Sequence, residues 1–285
     1  MKQEIILFSK ELYHTWISER PSQLGAGLAY YSMFSAAPVI YIAILVAGIF
    51  LDELALAEKF FTQVAQVMGD ETALFLEEMV SSVAIDPASG SLLTSIVGFI
   101  ALLVAASSIF FYLQYALNAV WQVPPPKRGA TAAMIRNKLI TFVLVIGVGL
   151  LLVVAAATNI ILSLITNFFD IGNWGFLNLG AMIALGTLAF AIIYKVLPNT
   201  QIAWRDVGVG AFVTALLMAA GGWGLGRYLA NSNITSAFEA AGTTAVFLIS
   251  VFFFAQLFLF GAVFTRVYAS VFGSKKQLEG FENHP

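Results

Sequence analysis

The sequence predicts an all-helical membrane protein, and two observations carry that prediction. Hydrophobic residues make up 60% of the 285 positions and charged residues only 11%, whereas soluble domains are about half apolar and about a quarter charged. A helix needs about 20 apolar residues to span a bilayer, and six windows of that length or more contain no Asp, Glu, Lys or Arg. The windows are residues 21–51, 87–126, 139–169, 171–194, 207–226 and 240–265.

The fold that follows is a single bundle of six transmembrane helices. We expect residues 23–271 to form this domain and residues 272–285 to form a cytoplasmic tail. Trimming the windows at glycine and proline signals sets the ends of the spans. The predicted spans lie near residues 23–50, 92–120, 139–166, 176–197, 207–229 and 244–270.

The first 22 residues have the pattern of a helix that lies on the membrane surface. Apolar side chains recur there at three- and four-residue steps, with charged residues between them. No small-residue cleavage site follows, so we interpret residues 1–22 as an amphipathic interfacial helix of the mature protein. The apolar positions are Ile5, Phe8, Leu12 and Trp16.

An acidic segment separates the first two spans. Residues 52–86 hold eight acidic residues and one lysine, with apolar residues at helical spacing. We expect residues 52–90 to form a short helical insertion outside the cytoplasm. It could be a lid on the end of the bundle or an acidic vestibule that attracts cations.

The distribution of basic residues predicts the orientation. Twelve of the fourteen lysines and arginines fall on one side of the predicted spans, and only Lys59 and Arg227 fall on the other. Because short cytoplasmic loops are enriched in Lys and Arg, both termini are predicted to be cytoplasmic.

Polar residues of the first span suggest a substrate path. Pro38 removes a backbone hydrogen bond and frees the carbonyl of Phe34, which could serve as a ligand surface. The alternative is a bend that only improves packing, with tyrosines anchored near the headgroups. The candidate path residues of this span are Tyr30, Tyr31, Pro38 and Tyr41.

A second polar stripe lies in the second span. Ser107, Gln114 and Asn118 are spaced at seven and four residues and therefore share one helix face. Gln256 of the last span could close the same polar core from across the bundle. The stripe could line a path or could supply interhelical hydrogen bonds worth about 0.6 kcal/mol each.

Arg227 lies at the outer end of the fifth span, where basic residues are rare. With Glu239 it forms a candidate contact for an anionic headgroup or solute, or else a local ion pair.

The residue inventory disfavours several other classes of protein. The chain has no cysteine and only two histidines, His14 and His284, so no metal site, cofactor or catalytic centre is expected. A net charge of −2 disfavours nucleic acid as a partner. The expected partners are the lipid bilayer and an unknown small solute or lipid, and a homo-oligomer is left open.

Four segments, in this order, resemble the YihY/BrkB family of bacterial inner-membrane proteins. They are the pattern GxxLAYYxxxSxxP at residues 25–38, LNAVW at 117–121, YKVLPNTQIAWRDVGVGA at 194–211 and the phenylalanine-rich stretch 241–265. The resemblance implies a protein of the bacterial inner membrane, described as a predicted transporter or serum-resistance factor. The family was formerly labelled ribonuclease BN, and ribonuclease activity is not expected here.

The leading functional hypothesis is a transporter or exporter of a small solute or lipid-linked molecule. One alternative is a non-transporting scaffold for envelope processes, and another is a lipid scramblase or flippase that uses the same polar residues.

Overall fold

The fold is all-helical, as predicted. The computed structural model describes residues 2–84, 92–124, 175–231 and 242–274, together with single positions between Val143 and Thr158. No strand occurs in these parts of the chain. The helices with complete bounds are α1 (Lys2–Ser18), α2 (Pro21–Gly48), α3 (Glu53–Met68), α4 (Asp70–Val83), α5 (Leu92–Val120), α6 (Gly175–Val196), α7 (Trp204–Ala230) and α8 (Gly242–Val271).

Five of these helices, α2 and α5 to α8, are long and apolar enough to cross a membrane. The predicted third span, 139–166, lies largely outside the described residues, although its described positions are helical. A helical membrane bundle is therefore confirmed, and the count of six spans stays a prediction. Below, the basic end of the bundle is the end where α2 begins, and the acidic end is the end that holds α3 and α4.

Helix α8 lies at the centre of the described bundle and packs against α2, α5 and α7. Small residues on α8 allow this close packing, because Ala262 and Ala269 are completely buried. Helix α6 packs on α7, and α5 packs on α2. The largest fully buried side chains belong to this core, and among them are Tyr194, Leu117, Leu197 and Leu259.

The crossing of α7 and α8 uses nearly the same five residues twice. GAFVT occupies residues 210–214 of α7 and GAVFT occupies residues 261–265 of α8. A Cβ atom on Gly210 would come within 1.7 Å of Thr265 Oγ1, and one on Gly261 within 1.9 Å of Thr214 Oγ1. The threonine of each helix therefore packs directly against the glycine of the other. Because glycine has no side chain, the two backbones can approach closely. The repeat is present in the sequence, but only the contact between α7 and α8 shows what its glycines and threonines do.

Helix α1 lies against α8, at the position of the predicted amphipathic segment. Phe8 makes an edge contact with Phe264 at 5.3 Å between ring centroids, and Trp16 makes one with Phe260 at 5.5 Å. Its other face exposes apolar side chains, as a helix at a lipid surface would. These are Ile5, Ile6, Leu7, Tyr13 and Ile17.

The acidic segment folds into two helices, α3 and α4, which meet at Gly69. Gly69 has φ +89, a conformation that favours glycine. Phe61 and Leu76 pack with Phe247 of α8 in a small apolar cluster. The apolar faces of α3 and α4 therefore pack against α2 and α8 in the half of the bundle toward the acidic end.

Candidate functional site

The polar stripe of α5 holds the loop between α6 and α7. Gln114 is buried, and its Nε2 donates to the carbonyl of Leu197 at 2.8 Å. Asn118 Oδ1, one helical turn further along, accepts the backbone N–H of Asn199 at 2.8 Å. The last carbonyls of a helix have no partner within the helix, so Gln114 satisfies the backbone where α6 ends.

Residues at the two ends of this loop also contact each other. The Nζ of Lys195 donates to the carbonyl of Ile202 and lies 5.5 Å from the centroid of the Trp204 ring. Leu197 and Ile202 are buried. Irregular backbone can lie within a membrane bundle only when protein satisfies its polar groups, and these contacts meet that condition.

The other two members of the predicted polar core lie elsewhere. Ser107 Oγ donates to the carbonyl of Leu103 in its own helix at 2.6 Å. Gln256 Nε2 donates to the carbonyl of Pro21 at 3.2 Å and lies directly over Gly25. The structure therefore places Gln114 and Asn118 at one loop, and Ser107 and Gln256 at different contacts.

The candidate residues of the first span separate into two groups. Tyr41 packs beside the apolar cluster near α3 and α4, and Pro38 is buried within an uninterrupted α2. Tyr30 and Tyr31, in contrast, are exposed on the flank of the bundle, and their rings meet edge to face at 5.7 Å.

Tyr31 forms one wall of a cleft between α2 and α5. It stacks on Tyr112, with ring centroids 4.7 Å apart and an interplanar angle of 25°. Tyr115 extends the aromatic surface, 5.6 Å from Tyr112. The cleft has a volume of about 480 Å³ and is lined by Tyr31, Ser108, Phe111, Tyr112 and Tyr115.

Gly27 makes this cleft possible. A Cβ atom at Gly27 would lie 1.9 Å from the hydroxyl of Tyr112, so only glycine leaves room for that ring. Within the part of the chain that the structure describes, no hydrogen bond satisfies the hydroxyls of Tyr31, Tyr112 and Tyr115. The Tyr112 hydroxyl lies against the backbone of α2 at Gly27, whereas Tyr31 and Tyr115 are exposed on the flank of the bundle.

Sequence reasoning missed Ser108, Tyr112 and Tyr115. Their spacing of four and three residues places them on one face of α5, and that signal was available. The sequence does not show that α5 packs on α2, and this pairing decides which face of α5 lines the cleft.

A second cavity of about 520 Å³ lies along the same two helices, nearer the acidic end. Met33, Phe34 and Pro38 of α2 line one wall, and Ala101 and Ala105 of α5 line the other. Met79, Ser82 and Val83 of α4 also line this cavity.

Of the two residues of the candidate outer anion contact, Arg227 lies in the described part of the chain. The guanidinium of Arg227 lies 5.2 Å from the centroid of the Trp223 ring, within the range of a cation–π contact. Both Trp223 and Tyr228 are exposed. Glu239, the predicted counter-charge, lies outside the described residues.

An ion pair at the basic end ties three helix ends together. Arg266 of α8 lies 3.0 Å from Glu19 Oε1 and also donates to the carbonyl of Val120 at 2.5 Å. Gln122 Nε2 donates to the same carboxylate oxygen at 2.6 Å. Arg20 and Gln122 both have positive φ, 47° and 52°, which is a strained conformation for residues other than glycine.

Asp206 joins the start of α7 to the end of α8. Its carboxylate is buried and accepts both the backbone N–H of Ser274, at 3.1 Å, and the Ser274 hydroxyl, at 2.6 Å. The carboxylate thus has a structural role at this corner. Among the described residues, no group of three or more His, Cys, Asp or Glu side chains could hold a metal ion.

Together, the long apolar helices and the uncharged cleft on their flank define a polytopic helical membrane protein. The chain belongs to the virulence factor BrkB family, whose model matches residues 12–283. This match confirms the resemblance seen in the four sequence segments.

Curated relatives bear the name UPF0761 membrane protein. The one from Saccharophagus degradans is 24% identical over 269 residues, which cover 92% of this chain and 59% of the relative. The one from Teredinibacter turnerae is 23% identical and covers 93% of this chain and 61% of the relative. The chain thus spans less than two thirds of the length of these relatives. No solved structure matches the chain.

Proposed function

We propose that this protein transports an amphiphilic, lipid-linked molecule across the bacterial inner membrane, with both termini in the cytoplasm, and that it is not an enzyme. The observation that carries this proposal is the tyrosine-lined cleft, which opens between α2 and α5 on the flank of the bundle. A cargo that enters from the bilayer can reach such a cleft without crossing the bundle core.

The positions of the predicted path residues support an amphiphilic cargo over a small polar solute. Gln114, Asn118 and Gln256 are engaged with backbone groups between helices. A hydrated solute would need free polar groups along its route, whereas the exposed Tyr31 and Tyr115 line the cleft on the flank.

Reconstitution into vesicles tests the proposal. The full chain is reconstituted with a phospholipid that carries a fluorescent headgroup, and dithionite added outside destroys the fluorescence of the outer leaflet. Transport predicts that vesicles with protein lose more fluorescence than protein-free vesicles. Equal loss in both preparations would overturn transport of this lipid class and favour the scaffold alternative.

Two conservative variants make this assay specific to the cleft. Tyr115→Phe keeps the exposed ring and removes one cleft hydroxyl, so slower transport is expected. Tyr228→Phe removes an exposed hydroxyl outside the cleft and should transport at the wild-type rate.

A further inference from the structure

The two cavities between α2 and α5 lie one after the other on a line along these two helices. On α5 the lining residues recur at steps of three and four residues and therefore occupy one helix face. On α2 the lining passes from Tyr31 through Phe34 to Pro38, in the same direction along the bundle. We call this line the α2–α5 seam, and its α5 wall consists of Gly98, Ala101, Ala105, Ser108, Tyr112 and Tyr115.

The seam is long enough to hold a lipid chain. At 1.5 Å per residue, the wall from Gly98 to Tyr115 is about 25 Å long, close to the hydrocarbon thickness of about 30 Å. None of its lining residues carries a charge, so the seam suits a chain without charge along most of its length.

The two halves of the seam differ in chemistry. The half toward the basic end is lined by Tyr31, Tyr112 and Tyr115, of which Tyr31 and Tyr115 are exposed. The other half presents small and apolar side chains such as Ala101 and Met33. Tyr115 lies five residues before the end of α5 at Val120, which is about 8 Å along the helix axis. Hydroxyl donors at this depth lie within reach of the ester and phosphate oxygens of a lipid.

We infer that the α2–α5 seam is a binding site for a glycerophospholipid. One acyl chain lies along the apolar half, and the lipid's ester or phosphate oxygens accept hydrogen bonds from the tyrosine hydroxyls. Residues Met79 and Val83 of α4 contact the far end of the chain. This inference rests on the proposed transport of an amphiphile and names its class.

Photo-crosslinking at equilibrium tests the site directly. The full chain, purified in detergent, is mixed with phosphatidylethanolamine that carries a diazirine at the end of one acyl chain. After irradiation, the labelled peptides are mapped by mass spectrometry. The inference predicts labels concentrated on Met33, Phe34 and Met79, whereas labels spread evenly over the exposed faces of all spans would overturn it.

A matched pair of variants separates a specific site from general lipid contact. Ala101→Leu fills the apolar half of the seam and should lower the labelling of Phe34 about tenfold, the change produced by about 1.4 kcal/mol. Ala220→Leu adds the same side chain at an exposed alanine on α7 and should leave labelling unchanged. Equal labelling in the two variants would overturn the inference.

The tyrosine hydroxyls are tested separately. Tyr115→Phe should lower labelling of the seam about fivefold, as expected when one hydrogen bond of about 1 kcal/mol is lost. Unchanged labelling in this variant would overturn the assigned role of the hydroxyls.

Failure of the site and failure of the proposed function give different results. Seam labelling without lipid transport in vesicles would keep the binding site and reject transport. Transport without seam labelling would keep the function and reject the site.

Discussion

Tyr31 of α2 and Tyr112 of α5 stack across the opening of the cleft, with ring centroids 4.7 Å apart. The contact joins two spans and leaves Tyr31 exposed on the flank of the bundle. Gly27, one turn before Tyr31, gives Tyr112 the room to reach this position. The cleft therefore depends on a glycine as much as on the aromatic residues.

Substitution of Gly27 should destabilise the α2–α5 pair. In Gly27→Ala the new methyl group overlaps the Tyr112 ring, and overpacking of this kind costs about 1–3 kcal/mol. The unfolding temperature in detergent should fall. Gly208→Ala is the matched control, because a Cβ there meets nothing within 4 Å and the better helix propensity of alanine should leave stability unchanged or slightly higher. Equal unfolding temperatures in the two variants would contradict the close contact.

Replacement of Gln114 should lower the stability of the folded protein, whether or not Gln114 also lines a substrate path. In Gln114→Leu the buried carbonyl of Leu197 loses its donor, at a cost of about 1–3 kcal/mol. Thermal unfolding of this variant should begin at a lower temperature than that of Gln201→Leu, which changes an exposed glutamine of the same loop. If Gln114→Leu unfolds like wild type, the hydrogen bond does not anchor the loop.

Spacing in the sequence placed Gln114 and Asn118 on one helix face, and the structure agrees. Their partners could not be predicted, because Leu197 and Asn199 lie 83 and 81 residues further along the chain. The helical fold class and five of the six predicted spans followed from composition and charge-free length. Tyr112 was missed because a cleft depends on which helices are neighbours, and one sequence does not show that.

The paired glycine and threonine contacts between α7 and α8 should be energetically coupled. Gly210→Ala forces a methyl group against Thr265 Oγ1 and should destabilise the protein. Thr265→Ala removes that oxygen, so the double variant should be more stable than the sum of the two single effects predicts. A double-mutant cycle of unfolding free energies measures the coupling, and strict additivity would contradict the contact.

Removing the charge of Glu19 should destabilise the protein less than removing the charge of Arg266, its partner in the ion pair at the basic end. Glu19→Gln keeps a carbonyl oxygen that Arg266 and Gln122 can still bind, so its effect should be small. Arg266→Ala leaves the Glu19 carboxylate, whose side chain is only 13% exposed, without its cation. Breaking a buried pair from one side costs about 3–5 kcal/mol, and partial exposure should place this variant below that range.

The two unfolding temperatures distinguish this account from a simple surface pair. Arg266→Ala should unfold at a lower temperature than Glu19→Gln, and added salt should change the difference little, since salt screens buried pairs weakly. A difference that disappears at high salt would show that the pair is solvent-screened.

Lipid transport by Ala101→Leu in vesicles tests the central claim most directly, because this residue lines the α2–α5 seam and makes no polar contact. Blocking the seam predicts that Ala101→Leu transports the fluorescent phospholipid more slowly than wild type, while Ala220→Leu matches wild type. If Ala101→Leu folds and transports at the wild-type rate, the lipid does not travel through the seam.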